Sequence, residues 1–418
     1  MKRKIMSLVE ILFYLILFFI VGDFILERYL SFLNFQYSKN ELPDNLKDIY
    51  DADKYGKQQE YFRSNIRFGT ISSTINFILI LIFFCLGGFG WLDTLLRRIT
   101  EHPILLPLLY FGVLFVAETL ISIPFQWYDT FVIEQKFGFN KVTPKLFVQD
   151  HLKEFALSVF LGGILLGAIV WIYQLTPKYF WLIAWSVVTL FSLFMSMFYS
   201  QIIVPIFNKQ KPLEEGELRD EIEKFATKAG FKLDNIYIID SSKRSTKANA
   251  YFTGLGNKKR VVLYDTLLDK LTSEEIVAVL AHEIGHYKKK HTLYQFLISL
   301  PESLLLFFLL GLILKSDVFA QVLGGTTASF HLNVIAFGLL YTPVSLLLSI
   351  CTNILSRKFE YQADAFAANF GWAKQLQSGL KKLAATSLSN LMPHPLYAFF
   401  HYSHPTLYQR LTKLSGAQ

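Results

Sequence analysis

Hydrophobic residues run through this chain in long unbroken blocks, separated by polar stretches of very unequal length. A helix needs about 20 apolar residues to cross a bilayer. Seven blocks meet that length, at 5–26, 71–92, 103–123, 155–175, 179–203, 293–314 and 330–355. They predict five spans with their loops over 1–206, a polar insert over 207–292, two more spans over 293–355 and a polar tail over 356–418. No tandem repeat or low-complexity segment interrupts this order.

Inside the insert the period shortens. Residues 214–229 are polar with an apolar stripe and end at Gly230, which predicts an amphipathic helix. The runs 235–240, 249–254 and 260–265 are short and rich in Ile, Val, Tyr and Phe, which predicts three strands. Thr272-Ser273-Glu274-Glu275 then forms a capping box ahead of Ile276-Val277-Ala278-Val279-Leu280, so a helix starts near Ser273.

Composition agrees with lipid as part of the solvent. The chain is 52% hydrophobic and 18% charged, with forty Phe and a mean hydropathy of +0.35. An ordinary soluble domain is less apolar. No cleavable signal peptide is evident, and the first block reads as a retained span. Cys85 and Cys351 lie inside apolar blocks, away from any C-x-x-C spacing, and read as small buried hydrophobes rather than disulfide or metal partners.

The net charge of +8 sits in the loops and tail. It fits membrane topology better than nucleic-acid binding, since no basic and aromatic platform accompanies it. Seven spans put the termini on opposite sides. Lys2, Arg3, Lys4, Arg97, Arg98, Lys178 and Lys315 share the N-terminal side, and the other side holds the remaining 34 of 41 basic residues. The positive-inside rule then places the insert and the C-terminus in the cytoplasm. Glu10, Asp23, Glu118 and Glu302 fall within spans. An ionised group facing lipid costs at least a few kcal/mol. Glu10 and Asp23 are near enough to span ends to reach water, whereas Glu118 and Glu302 sit deeper and call for a hydrated interior or an interhelical polar network.

The capped helix carries His282-Glu283-Ile284-Gly285-His286. Positions i and i+4 share one face of a helix, so His282 and His286 can hold one Zn²⁺ while Glu283 reaches a water beside it. Helix, small sheet, then metal helix is the α+β order of zincin metalloproteases. A catalytic zinc takes a third protein ligand. Glu360, in Ser356-Arg357-Lys358-Phe359-Glu360-Tyr361-Gln362-Ala363-Asp364, is the best candidate. Asp364, one turn on, can accept an N–H from a ligating His. Read alone, the segment also fits a solvated helical face with Glu360 paired to Arg357. His291 lies nine residues after His282, one short of the third histidine of a metzincin, and is excluded as a ligand.

Four blocks together resemble the zinc-dependent integral-membrane CAAX prenyl proteases: HEIGHYKKKHT at 282–292, SRKFEYQADAFA at 356–367, NAYFTG at 249–254 and YSHPTLYQR at 402–410. Residues 130–139 and 205–212 resemble that family as well. The resemblance implies His282, His286 and Glu360 as zinc ligands and Glu283 as general base. It implies that Asn249, with the strand through Ala250, Tyr251 and Phe252, holds substrate backbone, and that His404 and Arg410 position or stabilise the reacting carbonyl. It also implies a ring of seven transmembrane helices around a water-filled chamber, capped by the protease domain, which would house Glu118 and Glu302. The implied substrate is the C-terminal tripeptide of a prenylated CaaX protein. The implied setting is a monomer in contact with lipid, in a bacterial inner membrane or an endoplasmic reticulum membrane. General proteolysis of membrane proteins is the alternative, and a seven-helix transporter with a structural zinc is a more remote one. No role is assigned to His394 or His401.

Overall fold

The computed structural model describes residues 6–231, 236–253 and 260–416. Ile5, Asn235 and Gly254, at the edges of expected elements, lie outside the described residues, as do Lys2, Arg3 and Lys4. Seven helices are long and apolar enough to cross a membrane: Leu8–Tyr37, Ala52–Cys85, Leu105–Phe137, Pro144–Leu175, Phe180–Phe207, His291–Ile313 and Phe330–Asn369. Several outrun their apolar blocks. The second starts at an Asp51 cap and the fourth at a Thr143 cap followed by Pro144, and their polar first turns precede the blocks at 71 and 155. Glu10 has a local task, because it closes a capping box with Ser7 at the head of the first span.

One expected span is divided. The block 71–92 breaks after Cys85, where Gly87 adopts φ +69°, and Gly88–Arg97 forms a separate short helix. L side chains avoid that left-handed region, so glycine is the residue that permits the break. Cys85 and Cys351 are exposed on their helices rather than buried, which corrects the expectation for both. Their spans pack loosely enough that an apolar position need not be a core position.

The spans form a closed ring. The first packs on the second and the seventh, the fourth on the third and the fifth, and the sixth on the fifth and the seventh. The second and third meet where Phe68 stacks on Tyr128 at 5.3 Å. The third span also touches the seventh, where Tyr110 lies 4.3 Å from the His331 ring. Only 6% to 17% of each span's most apolar window is buried, as expected of helices exposed both outward and inward. Glu302 is half-buried, with its carboxylate 3.5 Å from the Thr352 hydroxyl across the sixth and seventh spans, and Glu118 is exposed. One end of the ring is tied shut by the helix Gly88–Arg97. Asp93 meets His331 at 2.6 Å and Arg97 at 2.9 Å, and Arg97 reaches Ser329 at 2.7 Å.

The protease-like domain covers the other end. Its sheet has four strands in the order β1-β2-β4-β3, with β1 Gln210–Pro212, β2 Ile236–Ile239, β3 Ala250–Thr253 and β4 Arg260–Tyr264. The β2–β4 pair is parallel and the others antiparallel, so β3 forms an edge. Three strands fall within the three short apolar runs that predict them. β1 is too short and polar to show that signal. The helix Glu217–Lys228 and the metal helix Ser273–Lys288 pack on the sheet through Ile222, Phe225, Ile276, Val277 and Leu280. The predicted box caps the metal helix, with Thr272 and Glu275 bonded reciprocally. Burial alone would raise the pKa of Glu275, but Lys382, Ser378 and the Thr272 N–H hold it below the usual carboxylate range.

The seventh span fixes the relation between ring and domain. Its 40 residues make one continuous helix, about 60 Å long at 1.5 Å per residue and twice the hydrocarbon thickness of a bilayer. The C-terminal half therefore leaves the membrane and lies against the metal helix. At the crossing, a Cβ on Gly285 would stand 3.1 Å from Ala363 Cα and 3.1 Å from Phe366 Cβ. Gly285→Ala should push the two helices apart by tenths of an ångström and cost about 1–3 kcal/mol. The expected outcome is a lower Tm with weaker metal retention, read by thermal unfolding and metal analysis; an unchanged Tm with full retention would contradict the crossing as drawn.

Candidate metal centre

His282 and His286 stand one turn apart on the metal helix, and Glu360 comes from the extended seventh span. His282 Nε2 lies 3.2 Å from His286 Nε2 and 3.4 Å from Glu360 Oε2, and His286 Nε2 lies 3.2 Å from Glu360 Oε1. Among the described residues this is the group of His, Cys, Asp and Glu donors placed to hold one metal ion. Metal–ligand bonds of about 2.0–2.1 Å in a tetrahedron give ligand–ligand edges of about 3.3 Å, which the three spacings match. Glu360 Oε2 is buried and accepts no hydrogen bond, an orphaned acceptor aimed at the point where the two imidazole nitrogens converge. The donor set therefore fits a metal.

The back of each ligand is held. His282 Nδ1 meets Asp364 Oδ1 at 2.8 Å. Arg410 in turn donates to both Asp364 oxygens, at 2.9 and 2.6 Å. Donation of Nδ1–H to a carboxylate leaves Nε2 as the free lone pair, facing Glu360. Burial pushes the His282 imidazole down, but the Asp364 and Glu360 carboxylates outweigh it and lift its pKa to about 9.

His286 is backed by a residue excluded as a ligand. His286 Nδ1 lies 3.1 Å from His291 Nδ1, and His291 Nε2 lies 2.8 Å from Gln362 Oε1. The consistent proton order has His286 donating to His291 and His291 donating to Gln362. Phe359 stacks on the His291 ring at 4.2 Å and fixes its plane. Spacing within the sequence disqualified His291 from the metal but could not reveal this supporting contact.

Glu283 is half-buried, makes no hydrogen bond among the described residues and faces a cavity of ≈ 400 Å³. Asn249, Ala250, His286, Glu360 and His404 line the same space. His404 is largely exposed, with Nε2 3.2 Å from Glu360 Oε1. Two contacts place it. Arg357 donates to the Tyr402 carbonyl at 2.5 Å, and Asn353 donates to the Phe400 carbonyl at 2.8 Å. Arg357 is thus engaged away from Glu360, the pairing that the solvated-face alternative required. Arg410 is largely buried and occupied by Asp364, with Nη1 3.6 Å from Glu360. It lines the same cavity as Glu283 and His404 while it holds Asp364.

The strand beside the metal offers an open edge. Tyr264 N donates to Asn249 O at 3.1 Å, so Asn249 and Tyr264 form a hydrogen-bonded pair. Antiparallel alternation then turns the backbone groups of Tyr251 toward β4 and those of Ala250 and Phe252 outward. The Asn249 side chain takes up the Ala250 N–H at 2.8 Å. Tyr251 points to the opposite face of the sheet, where its hydroxyl lies 3.2 Å from Ser200 Oγ and lines a separate cavity of ≈ 1060 Å³. The two histidines without an expected role are tethers. His394 caps the helix Pro395–His401, and His401 lies 3.5 Å from Glu27 of the first span.

Such a centre, closed over by membrane helices and open to an unpaired strand edge, belongs with the membrane-embedded metallopeptidases. Comparison with known proteins narrows the class. Residues 32–209 match the family model described as CAAX prenyl protease N-terminal, five membrane helices, and residues 212–418 match peptidase family M48. The CAAX prenyl protease 1 homolog of Oryza sativa is 36% identical, covering 96% of this chain and 97% of that protein. CAAX prenyl protease 1 of Saccharomyces cerevisiae is also 36% identical, over 95% and 93%. The crystal structure of S. mikatae Ste24p superposes with a TM-score of 0.91 at 34% identity, covering 96% of this chain and 99% of that one. The chain belongs to peptidase family M48, alongside the CAAX prenyl proteases, and is an integral-membrane metallopeptidase.

Asp364→Asn should leave all three donors in place yet weaken the hold on the His282 tautomer. The expected result is metal affinity lowered about 10- to 100-fold, measured by competition with a chelator. Wild-type affinity would show that Asp364 does not orient the ligand.

Proposed function

We propose that the chain is a zinc endopeptidase that removes the C-terminal tripeptide from prenylated CaaX proteins. The observation that carries the reading is the open edge of β3 lying along the same cavity as the His282–His286–Glu360 donors and the Glu283 carboxylate. The names of the relatives supply the substrate class.

His282, His286 and Glu360 would hold the zinc. Bound there, zinc lowers the pKa of water and polarises a carbonyl. The chain's own groups do the rest. An extended substrate pairs with the outward N–H and C=O groups of Ala250 and Phe252, so backbone bonds supply register. Asn249, which occupies the Ala250 N–H, is displaced or joins the pairing. Glu283 takes a proton from water in the cavity and returns it to the leaving amine. His404 offers an Nε2 donor to the oxygen that gains charge. Asp364 and Arg410 keep the ligands in place.

The excess of basic residues on the protease side supports a cytoplasmic catalytic domain, in a bacterial inner membrane or an endoplasmic reticulum membrane. The enzyme works as a monomer in contact with lipid. Glu118 and Glu302 face a water-filled interior, where their charges are tolerated.

Glu283→Gln should keep its zinc and lose about 10²- to 10⁴-fold in kcat. A chelator should abolish the wild-type rate and added zinc should restore it. Retained peptidase activity in the Gln variant would remove Glu283 as base. A farnesylated CaaX peptide should be cleaved faster than its unprenylated twin; equal rates would replace CaaX processing with general proteolysis.

A further inference from the structure

β3 is short, is paired on one side only, and begins directly after a segment without regular structure, 244–249. A sheet edge so lightly held needs another support if it is to present Ala250 at a fixed height above the metal. Within the domain, Thr266 Oγ1 donates to Lys247 O at 2.9 Å and Lys270 Nζ donates to Thr246 O; the rest of the support comes from the membrane helices. Ser245 forms a β-bridge with Asn140, in the loop between the third and fourth spans. Thr246 N donates to Phe139 O at 3.1 Å, and Lys141 N donates to Arg244 O at 3.1 Å. Arg244 is doubly bonded to Asp150 of the fourth span, at 2.8 and 2.9 Å.

The last side-chain anchor to the membrane helices before the strand is Lys247. Its ammonium lies 2.8 Å from Glu134 of the third span and 3.0 Å from the Tyr61 hydroxyl of the second. Tyr61 donates to the same Glu134 carboxylate at 2.5 Å. The ammonium also sits 4.7 Å from the centre of the Phe139 ring. Glu134 ends a π-turn, Asp129–Glu134, near the end of the third span. One extra residue in a helical turn rotates everything beyond it by about 100°, and such turns concentrate at functional sites. Here the turn delivers a carboxylate to a lysine two residues ahead of Asn249.

We propose that Glu134, Tyr61 and Lys247 are positioning residues for substrate: they clamp the start of β3 to the second and third spans and so set the register of its open edge against the metal centre. This rests on the reading of β3 as the substrate-pairing strand. None of the three touches the metal cavity, so their effect passes through the strand. The clamp also gives the membrane ring a direct hold on the catalytic geometry, because movement between the second and third spans shifts Lys247.

The test uses full-length, zinc-loaded enzyme in lipid nanodiscs with a fluorogenic CaaX peptide. Lys247→Met and Glu134→Gln should each keep zinc at wild-type stoichiometry and raise KM. A misplacement near 1 Å costs about a hundredfold in rate, so kcat/KM should fall by about ten- to a hundredfold. Lys247→Arg, which keeps the charge and donors, should remain near wild type. Amide exchange across 247–253 should quicken in the Met and Gln variants and not in the Arg variant. Should Lys247→Met not fold, Glu134→Gln alone carries the test, since it retains the shape of the side chain. Unchanged exchange and KM in the Gln variant would overturn the clamp. If exchange responds as expected but KM does not, the clamp holds β3 and the strand is not where substrate pairs, which sinks the positioning role and the substrate-strand reading together. A wild-type enzyme that cleaves no peptide would sink the proposed function alone, with exchange still reporting on the clamp.

Discussion

The active geometry depends on one helix crossing. Two donors sit on the metal helix, and the third sits on a helix that began on the far side of the membrane. Nothing in either helix alone fixes the distance between them. Gly285 does, because its missing side chain lets the metal helix approach Ala363 and Phe366 to 3.1 Å of where a Cβ would stand. At that separation Glu360 reaches both imidazoles and Asp364 reaches the back of one. The seventh span also keeps the metal at a set height above the ring, since a single 40-residue helix runs through both.

Placing so many ionisable groups in a buried site carries an electrostatic cost that the arrangement must offset. Glu360, Asp364 and His282 are all buried, and Arg410 is nearly so. Isolated buried charges are costly, and paired ones are tolerated only when their hydrogen bonds are made. Here the Asp364 carboxylate is shared between Arg410 and His282, so one anion has two cationic or donor partners. Glu360 keeps one oxygen unsatisfied. That oxygen, near the two imidazole nitrogens, is left for a metal to satisfy.

Much of this could be read from the residues. Long apolar blocks revealed the spans, because lipid demands continuous hydrophobicity over a fixed length. The capping box located the start of the metal helix to the residue, because it is a local hydrogen-bond pattern. His282, His286 and Glu360 were legible from helical spacing and the need for a third ligand. What stayed hidden was long-range or non-periodic. The length of the seventh helix beyond its apolar block was invisible to hydropathy. So was β1, whose three residues pair only because β2 lies beside them. His291 was rejected on spacing, yet it stands behind His286 because the next span happens to begin there. Cys85 and Cys351 looked like core residues because apolar sequence normally means burial, a rule that fails when helices line an open ring.

The boundary between membrane part and protease part is therefore less real than the sequence suggests. The polar ends of the second, third, fourth and seventh spans are walls of the catalytic domain as well as ends of transmembrane helices. Leu46, Tyr50, Ile133, Phe137 and Phe139, from or beside the first three spans, share one core with Leu388, Leu391 and Leu411 from the C-terminal tail. Tyr50 donates to the Ala384 carbonyl at 2.8 Å across that join. A domain so interleaved gains rigidity from the ring, because the segment ahead of β3 and the C-terminal tail are both held against the membrane helices. The same interleaving confines the metal cavity to the mouth of the ring. The cavity beside the three donors is lined by residues of the sheet edge, the metal helix, the seventh span and the C-terminal tail together. The site is thus a joint product of ring and domain, and neither would assemble it alone.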